Sequence, residues 1–491
     1  MSAFRPVLMV IGLFVAALGV AMLIPYCADL FRENASARAD RQAFLASSAI
    51  CLVVGGGVAA SCWGRIEAIT TRQGFLLTTG SWFALVCAAA LPFVLGSAQM
   101  SVTDAFFESM SGLTTTGATV VIGLDTMPPG FLLWRSMLQW FGGVGVIIMA
   151  IAILPFLSVG GMQLFRLESS DKSDKVVPSA EGLAISIFIL YAAMTTLCFV
   201  SYWAFGMSAF QALNHAMTTV ATGGYSTKDS SFAYFIEGGV TRGPVDLVAV
   251  VFMIAGSLPF GLYILAFRGR GDALFTDGQV RFFFAAAFFF IAIVAFRIIS
   301  ELGYDPWSGF RLAAFNIISI MTGTGYASTN YNAWGPFALG LFFCVMFVGG
   351  CAGSTSCGLK IFRLQVAVAA LSVYTQKLSH PHRVTVASYN GRPLDESVFR
   401  SVLSFFFIYF AVFATTAVAL SLFQLDAVTA LSAAGSAIAN VGPGLGEIVG
   451  PAGNYATLPT GVKWILSAAM LLGRLELFTV LVLFVPSFWA R

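Results

Sequence analysis

Four short stretches of the sequence place a glycine among threonines and other small residues, a composition suited to binding a dehydrated alkali ion. They are GLTTTGATV (112–120), TTVATGGYST (218–227), IMTGTGYAST (320–329) and AIANVGPGLG (437–446). Backbone carbonyls arranged in a ring can replace the hydration shell of such an ion. Glycine permits the backbone angles that aim successive carbonyls toward one point, and it adds no side chain to block the opening. The expected ion ligands are the carbonyl oxygens of Thr116, Thr222, Thr324 and Val441.

The aligned glycines recur at a nearly constant interval, which marks an internal repeat. They are Gly117, Gly223, Gly325 and Gly442, about 100 to 120 residues apart. Hydroxyl groups that could stabilise the loops come from Thr115, Thr116, Thr222 and Thr324. Any one stretch could be explained by glycine at a close helix contact. Four stretches in register predict four loops that face one another around a single axis.

A short, moderately apolar helix is predicted before each glycine segment. The expected N-caps are Asp104, Ser208, Ser308 and Asp426. A helix of about ten residues rises about 15 Å, which is half the thickness of a bilayer core. Its carboxyl end should therefore lie near the membrane midplane, where the partial negative charge of the helix end favours a cation.

The elements that must position these loops are membrane-spanning helices. The chain has 491 residues, of which 58% are hydrophobic and 10% are charged, whereas soluble domains carry about 25% charged residues. Its mean hydropathy is +0.86. The composition predicts an all-α integral membrane protein. Ten crossings are expected, near residues 7–26, 46–64, 74–98, 131–157, 183–205, 244–267, 280–302, 335–373, 400–423 and 461–488. Lysines and arginines are concentrated in the loops of one side, which predicts that both termini are cytoplasmic.

Other functional classes find little support in the sequence. The net charge of +3 gives no reason to expect a nucleic-acid partner, and the cysteines lack the spacing of a disulfide framework. The GPGLG of 442–446 lacks the βαβ context of a dinucleotide site, and no grouping of nucleophile, base and acid suggests an enzyme. An ion-coupled secondary transporter of a small organic solute remains an alternative, because such proteins contain discontinuous helices.

A second informative stretch, GGCAGSTSCGLK (349–360), interrupts the apolar run at 335–373. Its candidate site residues are Gly349, Gly350, Gly353, Ser354, Thr355, Ser356, Gly358 and Lys360. Unpaired backbone at membrane depth must be buried in protein or line a watery cavity, although a close helix contact would also explain the small residues. Arg474, deep in the last apolar run, is expected to face a cavity or an acidic partner. Arg135 lies nearer a helix end and is expected only to extend toward the interface.

The four glycine segments resemble those of the Trk-type potassium uptake family, a superfamily that includes TrkH, KtrB and the plant HKT transporters. The resemblance covers roughly residues 70–491. It implies two extra N-terminal helices followed by four helix–pore-helix–helix repeats, arranged with pseudo-fourfold symmetry around one pore. The implied divisions are 1–69 for the extra helices and 70–163, 164–272, 273–374 and 375–491 for the repeats.

The same resemblance implies potassium uptake across the bacterial inner membrane, with K⁺ as the transported ion and the four glycine segments as its selectivity filter. In the family a serine at the first position is associated with sodium conduction, and this chain has Gly117. The fourth segment, NVGPG, departs from the others because it has neither the threonine nor the tyrosine.

The resemblance further implies a gate and partners. Segment 349–360 resembles the intramembrane gating loop of the family, and Arg474 resembles an arginine beside that gate. The implied partners are a second copy of the chain and a cytosolic nucleotide-binding regulatory subunit of the TrkA type. No organic cofactor is implied for this chain.

Overall fold

The computed structural model describes residues 4–30, 32–64, 70–149, 180–237, 241–382, 387–390 and 392–489. The expected helix end at 150–157 and the division between residues 163 and 164 lie outside these ranges. Within them the regular structure is helical, apart from one small antiparallel hairpin that pairs Ser388–Tyr389 with Arg392–Pro393. The expected helical membrane fold is therefore confirmed.

Long apolar helices form the outer part of the molecule. Within the described ranges, seven are long and apolar enough to cross a membrane: Arg5–Ala28, Ala35–Ser61, Thr71–Leu95, Pro129–Ile148, Gly182–Ala204, Gly278–Leu302 and Glu396–Ser421. Many of their large apolar side chains are exposed, as for Phe288 at 72% and Phe296 at 75%. Such a surface suits lipid, since hydrocarbon chains replace water as the solvent of these side chains.

Two further spans are bent pairs of helices. Val245–Ser257 and Phe260–Phe267 meet at 92°, and Thr460–Arg474 and Phe478–Phe484 meet at 106°. The expectation of unbroken helices over 244–267 and 461–488 is therefore wrong. The tenth expected crossing, 335–373, consists of Pro336–Val345 and Ile361–Ser379 with an irregular segment between them.

Each bend has a local backbone cause. At the first bend Pro259 precedes the second helix, and the backbone groups freed there bond to another segment, because the Phe260 amide donates to the Gly353 carbonyl at 3.0 Å. At the second bend Glu476 and Leu477 adopt positive φ angles of 61° and 42°. A positive φ is costly for a residue with a side chain, so this bend is stabilised by the contacts that it allows.

Four short helices lie inside the bundle, and each is followed by one of the glycine segments. They are Val102–Leu113, Ala209–Val220, Pro306–Met321 and Ala427–Ala439, named the first to fourth short helices in chain order. The first is almost entirely buried from Ala105 to Leu113. The remaining short elements are Ala233–Glu237, Ala273–Thr276, Gly446–Val449, Phe478–Leu481, Pro486–Trp489 and the 3₁₀ turns Leu124–Thr126, Tyr331–Trp334, Tyr455–Thr457 and Val482–Phe484.

The N-caps of the short helices agree with expectation at two of four positions. Ser208 and Asp426 are caps. At the other two helices the caps are Ser101 and Asp305, which accept from the amides of Asp104 and Ser308. The expected caps Asp104 and Ser308 were therefore three residues late, because a cap and the third helical residue can both be polar.

Candidate ion-conduction site

The glycine segments form four loops, 114–120, 221–227, 322–328 and 440–445, named the first to fourth loops, that contact one another in chain order. A Cβ placed on Gly117 would overlap the carbonyl oxygen of Gly223 in the second loop. A Cβ on Gly224 would in turn overlap the carbonyl oxygen of Thr324 in the third loop. Side chains at these positions are excluded because the backbones approach so closely.

The contacts continue around to the starting loop. A Cβ on Gly325 would overlap the carbonyl oxygen of Val441, and a Cβ on Gly442 would lie 2.6 Å from the carbonyl oxygen of Thr116. Each loop therefore places one glycine against the carbonyl that precedes the corresponding glycine of the next loop. The four loops form a closed ring.

The geometry of this ring corrects the alignment of the second loop by one residue. Positive φ angles occur at Gly117, Gly325 and Gly442, and in the second loop at Gly224 rather than at Gly223. The carbonyl that corresponds to those of Thr116, Thr324 and Val441 is accordingly that of Gly223, and the expectation for Thr222 was wrong. The tyrosine after Gly224 and after Gly325 was the sequence signal for this register.

Backbone hydrogen bonds give the same register. The equivalent amides donate to the carbonyl five residues earlier, at 2.8 to 3.0 Å: Thr116 to Ser111, Gly223 to Thr218, Thr324 to Ser319 and Val441 to Ser436. These bonds close each loop against the carboxyl end of its own short helix. Each of the four carbonyls is therefore held by the same local structure.

The loop threonines have different partners. Thr116 and Thr324 each share a hydroxyl contact of 2.7 Å with the threonine two residues earlier. The Thr115 hydroxyl lies 3.9 Å from the sulfur of Cys357, and the Thr222 hydroxyl donates at 3.2 Å to the hydroxyl of Thr355. Thr115 and Thr222 thus contact segment 349–360 rather than a neighbouring loop.

Segment 349–360 packs against the carboxyl ends of the second and third short helices. Thr355 donates to the carbonyl of Val220 at 3.1 Å, and Ser356 donates to the carbonyl of Thr322 at 2.6 Å. These are terminal helix carbonyls that lack a partner within the helix. Ser354 caps the segment internally through the Cys351 carbonyl.

The glycines of the segment permit tight main-chain contacts. A Cβ on Gly349 would overlap the carbonyl of Cys357, and Gly353 and Gly358 have φ angles of 73° and 76°. Gly350 accepts its place through the Ser356 hydroxyl, which receives the Gly350 amide at 2.9 Å. A small cavity of about 20 Å³ lies beside the segment, which is room for about one water molecule.

Two buried cations line this small cavity. The ammonium of Lys360 donates to the Ser356 carbonyl. The guanidinium of Arg474 donates to the carbonyls of Thr355 (3.2 Å) and Gly142 (2.8 Å) and to the sulfur of Cys357 (2.5 Å). Within the described ranges Arg474 forms no ion pair. Of the two expectations for Arg474, a cavity rather than an acidic partner is therefore found.

A larger cavity of about 80 Å³ lies on the side of the residues that follow the glycines. All four ring glycines with positive φ line it: Gly117, Gly224, Gly325 and Gly442. Lys228 and Asp229 also line it, and Lys228 forms an ion pair of 2.8 Å with Asp125. The ring is thus accessible from a polar vestibule.

One charged group beside the ring was missed by sequence reasoning. Arg135 is 1% exposed and pairs with Glu108, which is fully buried. The expectation that Arg135 only extends toward the interface is therefore wrong. The signal available in the sequence was an acid inside a short helix, at a depth where a carboxylate needs a partner.

The helical membrane fold and the ring of glycine loops are features of a cation-transport class, and comparison with known proteins makes this specific. The model of the TrkH family, described as a cation transport protein, matches residues 40–491, and the chain belongs to this family. The expected resemblance is thereby confirmed, and the family consists of transport proteins rather than enzymes.

Individual relatives match along almost the whole chain. The chain is 43% identical to the Trk system potassium uptake protein TrkI of Halomonas elongata, over 99% of this chain and 97% of that protein. It is 35% identical to the Trk system potassium uptake protein TrkH of Escherichia coli K12, over 99% of each. The crystal structure of the potassium transporter TrkH from Vibrio parahaemolyticus superposes with a TM-score of 0.89 at 33% identity and covers 99% of both chains.

Proposed function

We propose that this protein takes up potassium ions through the ring of glycine loops, driven by the membrane potential. The observation that carries the proposal is the closed ring, in which every loop presents a carbonyl beside a glycine of its neighbour. The names of the relatives, which describe potassium uptake, support it. A potential of 100 mV contributes about 2.3 kcal/mol per ion.

The ion is bound by backbone oxygens. K⁺ loses water as it enters from the vestibule and is coordinated by the carbonyls of Thr116, Gly223, Thr324 and Val441. The carboxyl ends of the four short helices add partial negative charge at the same depth. In this proposal residues 1–69 form two extra helices, and 70–163, 164–272, 273–374 and 375–491 are pseudo-fourfold repeats around the pore.

Segment 349–360 and Arg474 form the gate of the proposed pore. The positive charge of Arg474 opposes the passage of K⁺ until the segment moves, and Lys360 adds to this barrier. Movement is controlled by a cytosolic nucleotide-binding subunit of the TrkA type, which binds a homodimer of this protein in the bacterial inner membrane. Both termini then face the cytoplasm.

The test is uptake of radioactive rubidium into proteoliposomes that contain the purified protein under an imposed potential. Uptake should be blocked by K⁺ and hardly by Na⁺. In Gly117→Ser the new side chain would meet the Gly223 carbonyl at a φ of +88°, so K⁺ should lose its advantage over Na⁺. Absence of uptake, even with the cytosolic partner added, would favour an organic-solute transporter. Unchanged selectivity in Gly117→Ser would contradict the filter assignment.

A further inference from the structure

The buried pair of Glu108 and Arg135 lies directly behind the ring, and the proposed function does not yet use it. Glu108 is in the first short helix, and Arg135 is in the helix Pro129–Ile148. The Arg135 Nε atom lies 2.8 Å from the Glu108 Oε1 atom. Burial of two charges is expensive and is offset only when both ions are fully hydrogen-bonded. The remaining bonds of the pair therefore show what it holds in place.

The carboxylate of Glu108 binds the part of the first loop that follows Gly117. It accepts the amide of Val120 at 2.9 Å and the hydroxyl of Thr119 at 3.0 and 3.1 Å. Hydrogen bonds to an ionised acceptor are shorter and stronger than neutral ones. Glu108 thereby connects the first loop back to its own short helix.

The guanidinium of Arg135 binds the part of the second loop that follows Gly224. It donates to the Ser226 carbonyl at 3.0 Å and lies 4.0 Å from the centre of the Tyr225 ring. It also donates to the Thr119 hydroxyl at 3.1 Å. Because a guanidinium is a planar group with fixed donor directions, Arg135 sets the distance between the first and second loops.

Two more contacts complete this connection. The Tyr225 hydroxyl donates to the Glu108 carbonyl at 2.8 Å. Gln139, one helical turn after Arg135, donates to the Gly223 carbonyl at 2.5 Å and accepts the Tyr225 amide at 3.0 Å. A side chain on the same helix face as Arg135 therefore reaches one of the four ring carbonyls directly.

The other joins between loops rely on neutral groups. Between the second and third loops, the Tyr326 hydroxyl contacts the Thr218 hydroxyl at 2.5 Å. Near the join of the fourth and first loops, the Tyr455 hydroxyl donates to the Gly442 carbonyl at 2.8 Å. The join between the first and second loops is thus the one that carries a buried ion pair in these contacts.

We propose that Glu108 and Arg135 are positioning residues for ion discrimination. This inference rests on the proposed function, since it assigns the pair to the selectivity of the same ring. The pair fixes the spacing of the Thr116 and Gly223 carbonyls, and a functional geometry must be held to within about 0.5 Å. A looser spacing lets the carbonyls adjust to the smaller Na⁺.

The experiment compares Glu108→Gln and Arg135→Lys with the unaltered protein in the rubidium uptake assay. Glutamine keeps the shape of Glu108 and removes its charge, and lysine keeps the charge of Arg135 and removes its planar donor set. We expect uptake to persist while the ratio of Na⁺ to K⁺ concentrations that give half-inhibition falls about tenfold, which corresponds to about 1.4 kcal/mol.

The matched control is Asp246→Asn. Asp246 forms a two-bond pair with Arg311 of the third short helix, at 2.9 and 2.6 Å, near the start of that helix and away from the loops. Its substitution should leave the inhibition ratio unchanged. An equal fall in the control would show general loosening and overturn the inference.

The possible failures are distinguishable. If the unaltered protein shows no selective uptake, the proposed function fails. If it is selective and both variants keep the ratio, the inference alone fails. A variant too unstable for reconstitution is examined in detergent, where K⁺ should raise the melting temperature of the unaltered protein more than Na⁺ does. An undiminished difference between the two ions in the variant would also overturn the inference.

Discussion

The ring of loops and segment 349–360 are adjacent, yet they are stabilised in opposite ways. In the ring the same backbone geometry recurs in four loops, and the closest contacts are between main-chain atoms. The segment occurs once, and its contacts are single hydroxyl-to-carbonyl bonds, such as those of Thr355 and Ser356. It also has two buried cations beside it, Lys360 and Arg474.

This difference matches two separate physical demands. A ring that distinguishes ions must keep its oxygens at fixed spacing, and close packing of backbone leaves little freedom to relax. A gate must open at modest cost, and each neutral hydrogen bond contributes only about 0.5–1.5 kcal/mol. We therefore expect substitutions in the ring to abolish function and substitutions around the segment to alter its regulation.

The largest effect is expected for Gly325→Ala. The added methyl would overlap the Val441 carbonyl at a φ of +79°, and a left-handed conformation costs about 1–2 kcal/mol for a residue with a Cβ. Rubidium uptake should fall to background. The control is Gly340→Ala, where no atom lies within 4 Å of the new methyl and alanine favours the helix by about 1 kcal/mol. Normal uptake by Gly325→Ala would show that the ring tolerates a side chain and is not the ion pathway.

The ring was largely predictable from the sequence because its geometry depends on a residue type. Glycine is required where backbones meet, so Gly117, Gly325 and Gly442 could be aligned directly. The second loop was misaligned because Gly223 and Gly224 are adjacent and composition does not distinguish them. Only the three-dimensional contact with Thr324 and the recurring φ pattern select Gly224.

The bends and the buried ion pair were not predictable in the same way. The break near Pro259 is stabilised by bonds to Gly353, a residue almost a hundred positions away. Glu108 and Arg135 lie on different helices, and their spacing in sequence fits no local rule. Such features depend on tertiary partners, whereas hydropathy and helix caps depend on local residues.

An intermediate effect is expected for Arg474→Ala. Removal of the guanidinium takes a positive charge from the pathway and three donor bonds from segment 349–360 and Gly142. Rubidium uptake without any cytosolic partner should rise about fivefold, the result of a barrier lowered by about 1 kcal/mol. The control, Arg400→Ala, removes an exposed arginine paired only with Glu396 four residues earlier and should not change basal uptake. Equal or lower uptake in a folded Arg474→Ala protein would indicate that the arginine is purely structural.

The smallest effect is expected at the rim of the vestibule, where Lys228 and Asp125 form a partly exposed pair. Partial desolvation acts to raise the pKa of Asp125, but the Lys228 ammonium outweighs it and holds this pKa below its usual value. The stability that Asp125 contributes is therefore present above the ordinary pKa of an aspartate and is lost as the pH falls through the depressed pKa.

Asp125→Asn should lower the stability of the protein at neutral pH by less than about 1 kcal/mol, since exposed pairs contribute little. Thermal unfolding in detergent is the measurement, with the unaltered protein as reference. The difference between the two proteins should disappear as the pH is lowered through the pKa of Asp125, because the unaltered carboxyl is then neutral as well. A difference that persists in acid would mean that the Asp125 contacts act through shape rather than charge. A loss of K⁺ over Na⁺ preference in Asp125→Asn would instead show that discrimination extends beyond the ring into the vestibule.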